Sequence, residues 1–312
     1  MLVSIIIPTF NRVHLLGQAI DSVLKQTYQE WECLVVDDGS TDHTEELMGF
    51  YVKDARIRFL KRETLPKGAS HCRNIGLKDA RGEFCIFLDS DDMLLSHCLK
   101  DRIKLAVENK TDKFLVFPMF TQHKGERKVL EIPEAKNYIS EFLQYRIHWQ
   151  TMCTFWRTDF VRSIGGFDAA YPRLNDPEIH IRAMLIAGNR FKVFNKHKPD
   201  TLYRIVEDLR DRKDFALKYN EALLHFAADI PKFLYEYHQE EKIPFIKEYL
   251  NDYLDISFRF IKRRKNLELF KVFYRNKILS LPEYLKLCSD YYKYLASQKG
   301  ILGKEILKLR LS

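Results

Sequence analysis

The sequence predicts an α/β fold, in which a mostly parallel sheet is flanked by helices and followed by a helical C-terminal region. Over residues 2–117, short apolar and β-branched segments alternate with amphipathic segments, a pattern typical of βαβ units. Beyond Glu207, apolar and aromatic residues recur at three- and four-residue spacing with few turn residues between them. That spacing indicates helices that each bury one face.

The expected elements follow from local patterns. Strands are predicted at residues 2–8, 31–36, 57–60, 84–88 and 114–117, with Pro8 ending the first. Helices are predicted at residues 13–27, from Asp42 onward, at 68–81 and at 96–109, with Asp42 and Glu45 as a capping box. The middle of the chain predicts a hairpin within 122–136, a strand at 152–156, a helix at 177–187 and edge strands at 191–194 and 201–204.

Composition favours a globular protein of a reducing compartment. Of the 312 residues, 46% are hydrophobic, which is enough for a substantial core. No run reaches the ~18 apolar residues of a membrane span, and the first residues show no basic segment or cleavage site, so we expect no signal peptide. The six cysteines form no C-x-x-C pair, which favours a cytoplasmic location over a disulfide framework or a zinc site.

The net charge of +8 is concentrated at the C-terminus. Residues 258–312 contain 14 Lys and Arg against 4 Asp and Glu, and the run Lys262-Arg263-Arg264-Lys265 lies there among aromatic and aliphatic residues. Two interpretations stay open: the solvated face of a packed helix, or a surface for peripheral attachment to an anionic membrane. No nucleic-acid-binding module is recognisable, so we expect no nucleic-acid partner.

Three carboxylates, Asp89, Asp91 and Asp92, directly follow the predicted strand at 84–88. Clustered carboxylates repel one another unless a cation lies among them. Because Mg²⁺ and Mn²⁺ coordinate carboxylate oxygens and share phosphate ligands, the cluster predicts a divalent metal site. The alternative is an acidic turn that caps a helix starting near Ser96.

Polar residues follow three of the predicted strands, at residues 9–12, 37–42 and 89–92. In mostly parallel sheets, ligands bind beyond the carboxyl ends of the strands. The three clusters therefore predict one site at a single edge of the sheet.

Five motifs together resemble the family 2 inverting glycosyltransferases, which have the GT-A fold. They are SIIIPTFNR at 4–12, VVDDGSTD at 35–42, RNIG at 73–76, DSDD at 89–92 and GGFD at 165–168. The motifs occur in the family's order over roughly residues 1–205. The resemblance implies a Rossmann-like GT-A sheet, a nucleotide-sugar donor and Mn²⁺ or Mg²⁺. It does not extend to the region beyond Glu207.

The resemblance also implies roles for single residues on the donor side. The loop after the first strand would line the nucleotide through Pro8, Thr9, Asn11 and Arg12. Asp38 matches the aspartate that holds the base, with Asp37 beside it, and Arg73 matches a basic residue that faces the phosphates. Taken alone, Arg12 and Arg73 are ordinary surface residues, and Asn11 is an equally good cap for the helix near Val13.

The same resemblance implies that Asp91 ligates the metal and that Asp89 approaches the metal or the ribose, with Asp92 as the third candidate ligand. Arg204 matches a family position near the donor phosphates. Its alternative is a solvated arginine on an edge strand.

On the acceptor side the sequence departs from the family pattern. Asn175-Asp176 stands where the family often has Glu-Asp, so only Asp176 is carried over as the general base. The alternative for Asp176 is a helix N-cap before Pro177. Glu178 and His180 follow as accessory candidates, and a packed helix residue is the more common role of a lone histidine.

The resemblance therefore implies an inverting glycosyltransferase that moves a hexosyl or N-acetylhexosaminyl group, with a UDP-sugar favoured, to a glycan or lipid-linked acceptor in cell-surface polysaccharide assembly. We divide the chain into a nucleotide-sugar-binding half at 1–118, an acceptor-side half of the same domain at 119–206, and a helical region at 207–312. Two alternatives remain: a sugar nucleotidyltransferase, or a non-catalytic nucleotide- or glycan-binding subunit. The first needs a Gly-rich basic loop that the Thr9–Arg12 segment lacks.

Overall fold

The structure is a computed structural model that describes residues 1–205 and 211–298. Residues 206–210 and 299–312 lie outside the described residues. They include the predicted domain boundary at 206/207 and the last part of the basic tail. No helix among the described residues is both long enough and apolar enough to cross a membrane.

Most strands of the described residues lie at or close to the predicted segments, whereas the strand at Met93–Leu94 was not predicted. The strands are β1 (Val3–Thr9), β2 (Trp31–Asp37), β3 (Ile57–Lys61), β4 (Phe84–Phe87), β5 (Met93–Leu94), β6 (Phe114–Val116), β7 (Met119–His123), β8 (Glu126–Leu130), β9 (Thr154–Arg157), β10 (Phe191–Val193) and β11 (Thr201–Arg204).

The α-helices of the described residues lie between these strands and, after β11, follow one another without further strands. They are α1 (Val13–Leu24), α2 (Thr44–Tyr51), α3 (Ala69–Asp79), α4 (Cys98–Glu108), α5 (Tyr138–Leu143), α6 (Thr158–Ser163), α7 (Asn175–Ala187), α8 (Arg212–Glu236), α9 (Lys247–Ile256), α10 (Arg263–Arg275) and α11 (Leu281–Gln298). Short 3-10 helices lie at Thr151–Cys153, Glu240–Ile246 and Phe258–Phe260.

The larger sheet has the strand order β10-β6-β9-β4-β1-β2-β3. All of its neighbouring strands are parallel except β9, which is antiparallel to both β4 and β6. Every residue of β1 and β2 is buried, as expected for a central sheet covered on both faces. The prediction of a mostly parallel sheet with flanking helices and a helical C-terminal region is confirmed.

The smaller sheet has the order β5-β11-β7-β8, and its first strand begins directly after Asp92. The predicted hairpin is formed by β7 and β8, but it begins at Met119, three residues before the predicted range of 122–136, and ends at Leu130. The prediction that residues 201–204 form an edge strand is wrong, because β11 pairs with β5 on one side and with β7 on the other. Arg204, at the end of β11, therefore lies inside a sheet.

Pro8 does not end the first strand, because β1 continues to Thr9. The last residue of β1 that pairs with β4 is Ile6, so Pro8 interrupts no ladder on that side. The predicted capping box is half right. Asp42 Oδ1 accepts a hydrogen bond from the Thr44 N–H at 3.1 Å, but the Glu45 carboxylate pairs with a lysine instead of reaching back to the helix start.

By proximity of Cα atoms the chain divides into two compact units. The first unit comprises residues 1–134, 148–169 and 186–207, and the second comprises 135–147, 170–185 and 208–312. The first unit contains both sheets, whereas the second unit is helical over its described residues. Segments of the predicted acceptor-side half thus group with the C-terminal residues, and the three-part functional division at 118 and 206 stays a prediction.

A buried asparagine links four helices of the second unit. Asn266 is fully buried, and its amide group donates to the Tyr291 hydroxyl at 2.9 Å and to the Phe258 carbonyl at 3.0 Å. Its side-chain oxygen accepts from the Tyr253 hydroxyl, which in turn accepts from the Asn220 amide. Because a buried amide is costly unless its groups are hydrogen-bonded, this network fixes how α8, α9, α10 and α11 pack.

In the first unit a fully buried ion pair joins α4 to the segment before β11. Arg102 donates from Nε and Nη2 to the two oxygens of Asp200, both at 2.7 Å, and from Nη1 to the Met152 carbonyl at 2.9 Å. Neither side chain of the pair is exposed. The bidentate geometry compensates for the desolvation of both charges.

Replacing Asp200 with asparagine is expected to lower the free energy of unfolding by about 3–5 kcal/mol, because Arg102 would keep a buried charge without its carboxylate. Urea denaturation measures the difference. The control is Asp101→Asn: Asp101 lies next to Arg102 on α4, and its carboxylate is 3.4 Å from the exposed Lys198. That exposed pair is worth less than about 1 kcal/mol, and an equal loss in both variants would contradict the prediction.

Candidate active site

The three polar clusters predicted from the sequence lie at one edge of the larger sheet. They follow β1, β2 and β4, which are parallel neighbours in the order β4-β1-β2. Their carboxyl ends therefore point in the same direction and bring the loops after these strands together.

Asp89, Asp91 and Asp92 form a compact carboxylate cluster. Their oxygens lie within 4.8 Å of one another, a spacing at which one cation can be shared. Asp92 is buried, whereas the Asp89 side chain is 40% exposed. Burial, and secondarily the neighbouring Asp89 carboxylate, raise the pKa of Asp92 well above its ordinary value.

Three arginines from distant parts of the chain surround this cluster. Arg12 pairs with the Asp91 carboxylate, and Arg73 pairs with Asp89. Arg204 donates from its guanidinium to the Asp91 carbonyl, and its backbone N–H donates to Asp92 Oδ1 at 2.9 Å. The cluster is therefore balanced by cationic groups, and Arg204 is not the solvated residue of the alternative interpretation.

Asp38 lies at the end of β2 in a cradle of donors. Its carboxylate accepts from Arg62 Nε, from the Gly68 N–H at 2.9 Å and from Cys72 Sγ at 3.6 Å. Sequence reasoning missed Arg62. The available signal was its position, because Arg62 directly follows β3, whose parallel pairing with β2 places Lys61 opposite Asp37.

Asp37 and Asn11 hold the loops that follow β2 and β1. The Asp37 carboxylate accepts from the Gly39 N–H at 3.1 Å and from the N–H and hydroxyl of Ser40. Asn11, at a φ of 49°, accepts through Oδ1 from the Thr41 N–H at 2.8 Å and donates its own N–H to Ser40. These are turn-forming bonds, and the nucleotide-binding roles of both residues stay predictions.

The alternative that Asn11 caps the helix near Val13 is not what the structure shows. The Val13 N–H donates instead to Asp42 Oδ2 at 3.0 Å. Beside this loop, the Thr9 hydroxyl is buried and has no hydrogen-bond partner within the described part of the chain. Thr9 directly follows Pro8 at the end of β1. A buried hydroxyl without a partner is a group that a bound ligand can satisfy.

The R-N-I-G and G-G-F-D motifs interlock. Asn74 Nδ2 donates to the Phe167 carbonyl at 2.7 Å, and Asn74 Oδ1 accepts from the Phe167 N–H at 2.9 Å. The guanidinium carbon of Arg73 lies 4.9 Å from the centre of the Phe167 ring, a cation–π distance. Gly76 allows α3 to approach β1, since a Cβ there would lie 2.5 Å from Ile6 Cγ2. The interlock thus positions Arg73 against Asp89.

Gly166→Ala is expected to destabilise the first unit more than Gly165→Ala. Both glycines have positive φ, +65° and +85°, which costs a side chain about 1–2 kcal/mol. Only at Gly166 would the added Cβ also collide with Asn74 Oδ1, for about 1–3 kcal/mol more, whereas at Gly165 no atom of a described residue outside its chain neighbours lies within 4 Å. Urea denaturation of both variants tests this difference, and equal losses would contradict the close approach to Asn74.

The acceptor-side candidates lie on α7 in the second unit. Asp176 is half-buried in the first turn of α7, one residue after the helix begins, so it is not the N-cap of the alternative interpretation. The buried Glu178 pairs with Arg182 one turn later, with Nη2 to Oε2 at 3.0 Å. The His180 ring nitrogen Nδ1 lies 2.7 Å from the Asp176 carbonyl.

His180 is expected to make the second unit less stable in acid. Burial lowers its pKa to about 4, from an ordinary value of 6.5. Below pH 6.5 the imidazole of His180 is protonated in the unfolded chain, but in the folded chain it stays neutral down to about pH 4. The free energy of unfolding therefore decreases as the pH falls through this window. The expected loss at pH 5 is about 2 kcal/mol.

Urea denaturation at pH 7 and pH 5 tests this prediction. His180→Asn retains a hydrogen-bond donor near the position of Nδ1 but does not titrate. Between pH 7 and pH 5 its free energy of unfolding should therefore fall by about 2 kcal/mol less than that of the wild type. Identical pH dependence in the two proteins would show that His180 titrates normally in the folded state.

Comparison with known proteins gives the family. The model described as "Glycosyl transferase family 2" matches residues 4–197, which is more than half of the sequence. The chain belongs to glycosyl transferase family 2.

Among curated relatives, the Escherichia coli protein WfgD, a UDP-Glc:alpha-D-GlcNAc-diphosphoundecaprenol beta-1,3-glucosyltransferase, is 46% identical over 109 residues, 35% of this chain and 42% of that protein. An uncharacterized glycosyltransferase of Rickettsia felis is 42% identical over 107 residues, 34% of this chain and 17% of that protein. The chain thus matches less than half the length of either relative.

Solved structures share the fold. Staphylococcus aureus TarS 1–349 in complex with UDP-GlcNAc aligns with 97% of this chain and 93% of that chain, with a TM-score of 0.68 and 20% identity. The mannosyltransferase PcManGT from Pyrobaculum calidifontis, in complex with GDP-Man and Mn²⁺, aligns with 97% of this chain and 88% of that chain, with a TM-score of 0.52 and 18% identity. The predicted GT-A fold is confirmed.

Proposed function

We propose that this chain transfers a sugar, with inversion, from a UDP-sugar to an acceptor hydroxyl in the assembly of a cell-surface glycan. The observation that carries the proposal is the strand-end site. Three carboxylates follow β4 and contact three arginines from other parts of the chain, and Asp38 with its hydrogen-bond donors follows β2 at the same edge of the sheet. The carboxylates of such a site can bind a cation, and its guanidinium groups can bind phosphate.

The donor set fits a hard divalent cation. Asp89, Asp91 and Asp92 offer only oxygen ligands, and Mn²⁺ and Mg²⁺ both prefer carboxylate oxygen. Asp91 is the expected principal ligand, with Asp89 and Asp92 beside it. When bound, the ion would supply Lewis-acid stabilisation of the departing nucleoside diphosphate. The Mn²⁺ complex of PcManGT supports this assignment by analogy of fold.

The arginines of the site are suited to the donor phosphates. Arg12 and Arg73 pair with carboxylates that a cation would also bind. A guanidinium can exchange a carboxylate for a phosphate because both accept its parallel N–H donors. We therefore expect Arg12, Arg73 and Arg204 to stabilise the negative charge that grows on the diphosphate as the bond to the sugar breaks.

The nucleoside is expected to lie over the loops after β1 and β2. Asp38 would hold the base, with Arg62 fixing the orientation of its carboxylate. Thr9 would contribute its buried hydroxyl, and Pro8, Asn11 and Asp37 would shape the loops around the nucleotide.

Asp176 is the proposed general base. The acceptor oxygen forms a bond to the anomeric carbon as the bond from that carbon to the diphosphate breaks, and the electron pair leaves with the phosphate oxygen. The hydroxyl proton passes to the Asp176 carboxylate. Glu178 and His180 are proposed to position the start of α7, since one is paired with Arg182 and the other contacts the Asp176 carbonyl.

The relatives narrow the substrate class. WfgD is named for transfer of glucose to a lipid-linked GlcNAc, and TarS is named for transfer of N-acetylglucosamine to poly(ribitol-phosphate). These names support a hexosyl or N-acetylhexosaminyl donor and a glycan or lipid-linked acceptor for this chain. They also favour transfer over the two alternatives of nucleotidyl transfer and non-catalytic binding.

A donor screen tests the proposal. Binding of UDP-, GDP-, CMP- and TDP-sugars, and of UTP as a nucleoside triphosphate, to the full chain would be measured by calorimetry with and without Mn²⁺. We expect a UDP-sugar to bind best and its affinity to depend on the metal. Absence of binding by every donor would overturn the proposal, and binding of a nucleoside triphosphate alone would favour the nucleotidyltransferase.

A further inference from the structure

A cationic corner lies between α9 and α10 of the second unit. Five cationic side chains fall within seven residues, and all are exposed: Arg259, Lys262, Arg263, Arg264 and Lys265. None of the five forms an ion pair with a carboxylate of residues 1–205 or 211–298. With the exposed Asp255 and Glu268 counted, residues 255–268 still carry a net charge of 5 − 2 = +3. An exposed cationic group of this size attracts anions.

The charges lie at an unfavourable end of their helix. The first turn of α10 contains basic residues and no acidic one. Because the N-terminus of a helix carries partial positive charge, cations there repel it, and an anionic partner relieves the repulsion. Packing does not explain this arrangement, since the buried side of α10 is formed by other residues, among them Asn266, Leu269 and Phe270.

Apolar side chains are exposed at the same corner. Ile256 is 48% exposed at the end of α9, and Phe260 is 41% exposed in the short 3-10 helix that follows. On α11, Tyr292 is 46% exposed, and its hydroxyl accepts a hydrogen bond from Arg263 Nη2 at 3.1 Å. Exposed apolar groups among cations are the pattern of a surface that enters the headgroup region of a bilayer.

We propose that this corner, composed of the five cations with Ile256, Phe260 and Tyr292, docks on an anionic phospholipid surface. The cations would pair with the lipid phosphates, and the apolar side chains would enter the region where the headgroups meet the acyl chains. A nucleic acid fits less well, because the sequence contains no recognisable nucleic-acid-binding module and the exposed aliphatic Ile256 offers no face on which a base could stack. The proposal goes beyond sugar transfer and does not depend on it.

Vesicle flotation of the full chain tests the proposal. Binding to phosphatidylcholine vesicles that contain about 30% phosphatidylglycerol is compared with binding to phosphatidylcholine alone. We expect strong preference for the anionic vesicles and weaker binding as salt rises. Equal binding to both vesicles overturns the proposal.

A matched pair of triple variants locates the surface. Arg259→Gln with Arg264→Gln and Lys265→Gln removes three charges from the corner, and each cation near such a surface contributes about fivefold, so binding should fall on the order of 100-fold. Lys213→Gln with Lys218→Gln and Lys232→Gln removes three exposed charges from α8 and should leave binding nearly unchanged. Equal losses in the two variants would assign the effect to net charge and overturn the proposed location.

Two further measurements complete the test. The double variant Ile256→Ser with Phe260→Ser should weaken the vesicle binding that persists at high salt. Unchanged binding at high salt would show that these apolar side chains do not enter the bilayer. A single-stranded oligonucleotide that binds more tightly than the anionic vesicles and displaces them would overturn the lipid assignment in favour of nucleic acid. UDP-sugar binding is measured for every variant, so that failure of membrane binding stays distinguishable from failure of the proposed sugar transfer.

Discussion

Asp91→Asn is expected to abolish the metal dependence of donor binding and to lower turnover by about 10³-fold. The substitution keeps the shape of the side chain but removes one of three negative charges from the cluster. It also leaves Arg12 without its carboxylate partner. A Lewis acid is worth several kcal/mol of transition-state stabilisation, and about 4 kcal/mol corresponds to the stated factor.

Calorimetry of UDP-sugar binding with and without Mn²⁺ measures the first effect, and single-turnover transfer measures the second. The control is Asp101→Asn, the same substitution on α4, where the carboxylate faces Lys198. Metal-dependent donor binding that survives Asp91→Asn would assign the ion to Asp89 and Asp92 alone.

Asp176→Asn is expected to lower transfer by about 10²–10⁴-fold while donor binding stays unchanged. Asparagine occupies the same volume in the first turn of α7 but cannot accept the proton of the acceptor hydroxyl. Because the expected loss lies in the chemical step, kcat should fall while the Kd of the donor is constant.

Asp214→Asn provides the matched control on α8, where the carboxylate pairs with Lys218 at 2.8 Å and both side chains are half-exposed. Transfer by this variant should equal that of the wild type. Full activity of Asp176→Asn would rule out its role as base and direct attention to the acceptor itself or to another carboxylate of the second unit.

The sequence predicts the sheet well because its strands are buried on both faces. Val3–Thr9 and Trp31–Asp37 are mostly apolar and fully buried, as expected for central strands, and helices of fitting length lie between the strands. The smaller sheet was predicted poorly because its strands are short and depend on pairing. The two residues of β5 become a strand only through β11, which lies more than a hundred residues later in the chain.

The carboxylate side of the site could be predicted because its residues are contiguous at one strand end. The cationic side depends on tertiary structure. Arg62 carries no motif, and it reaches Asp38 only because β3 pairs with β2. Arg204 was assigned by family pattern, but its bonds to Asp91 and Asp92 follow from the position of β11 beside β5. Such contacts cannot be read from local periodicity.

The contact between Asn74 and Gly166 has an evolutionary consequence. The two residues are 92 positions apart in the chain, yet the amide of one occupies the space that a side chain at the other would need. Position 166 cannot change by itself, because a larger residue there requires a shorter one at 74. In a collection of related sequences the two positions should therefore covary, and variants that carry alanine at both should arise more readily than alanine at 166 alone.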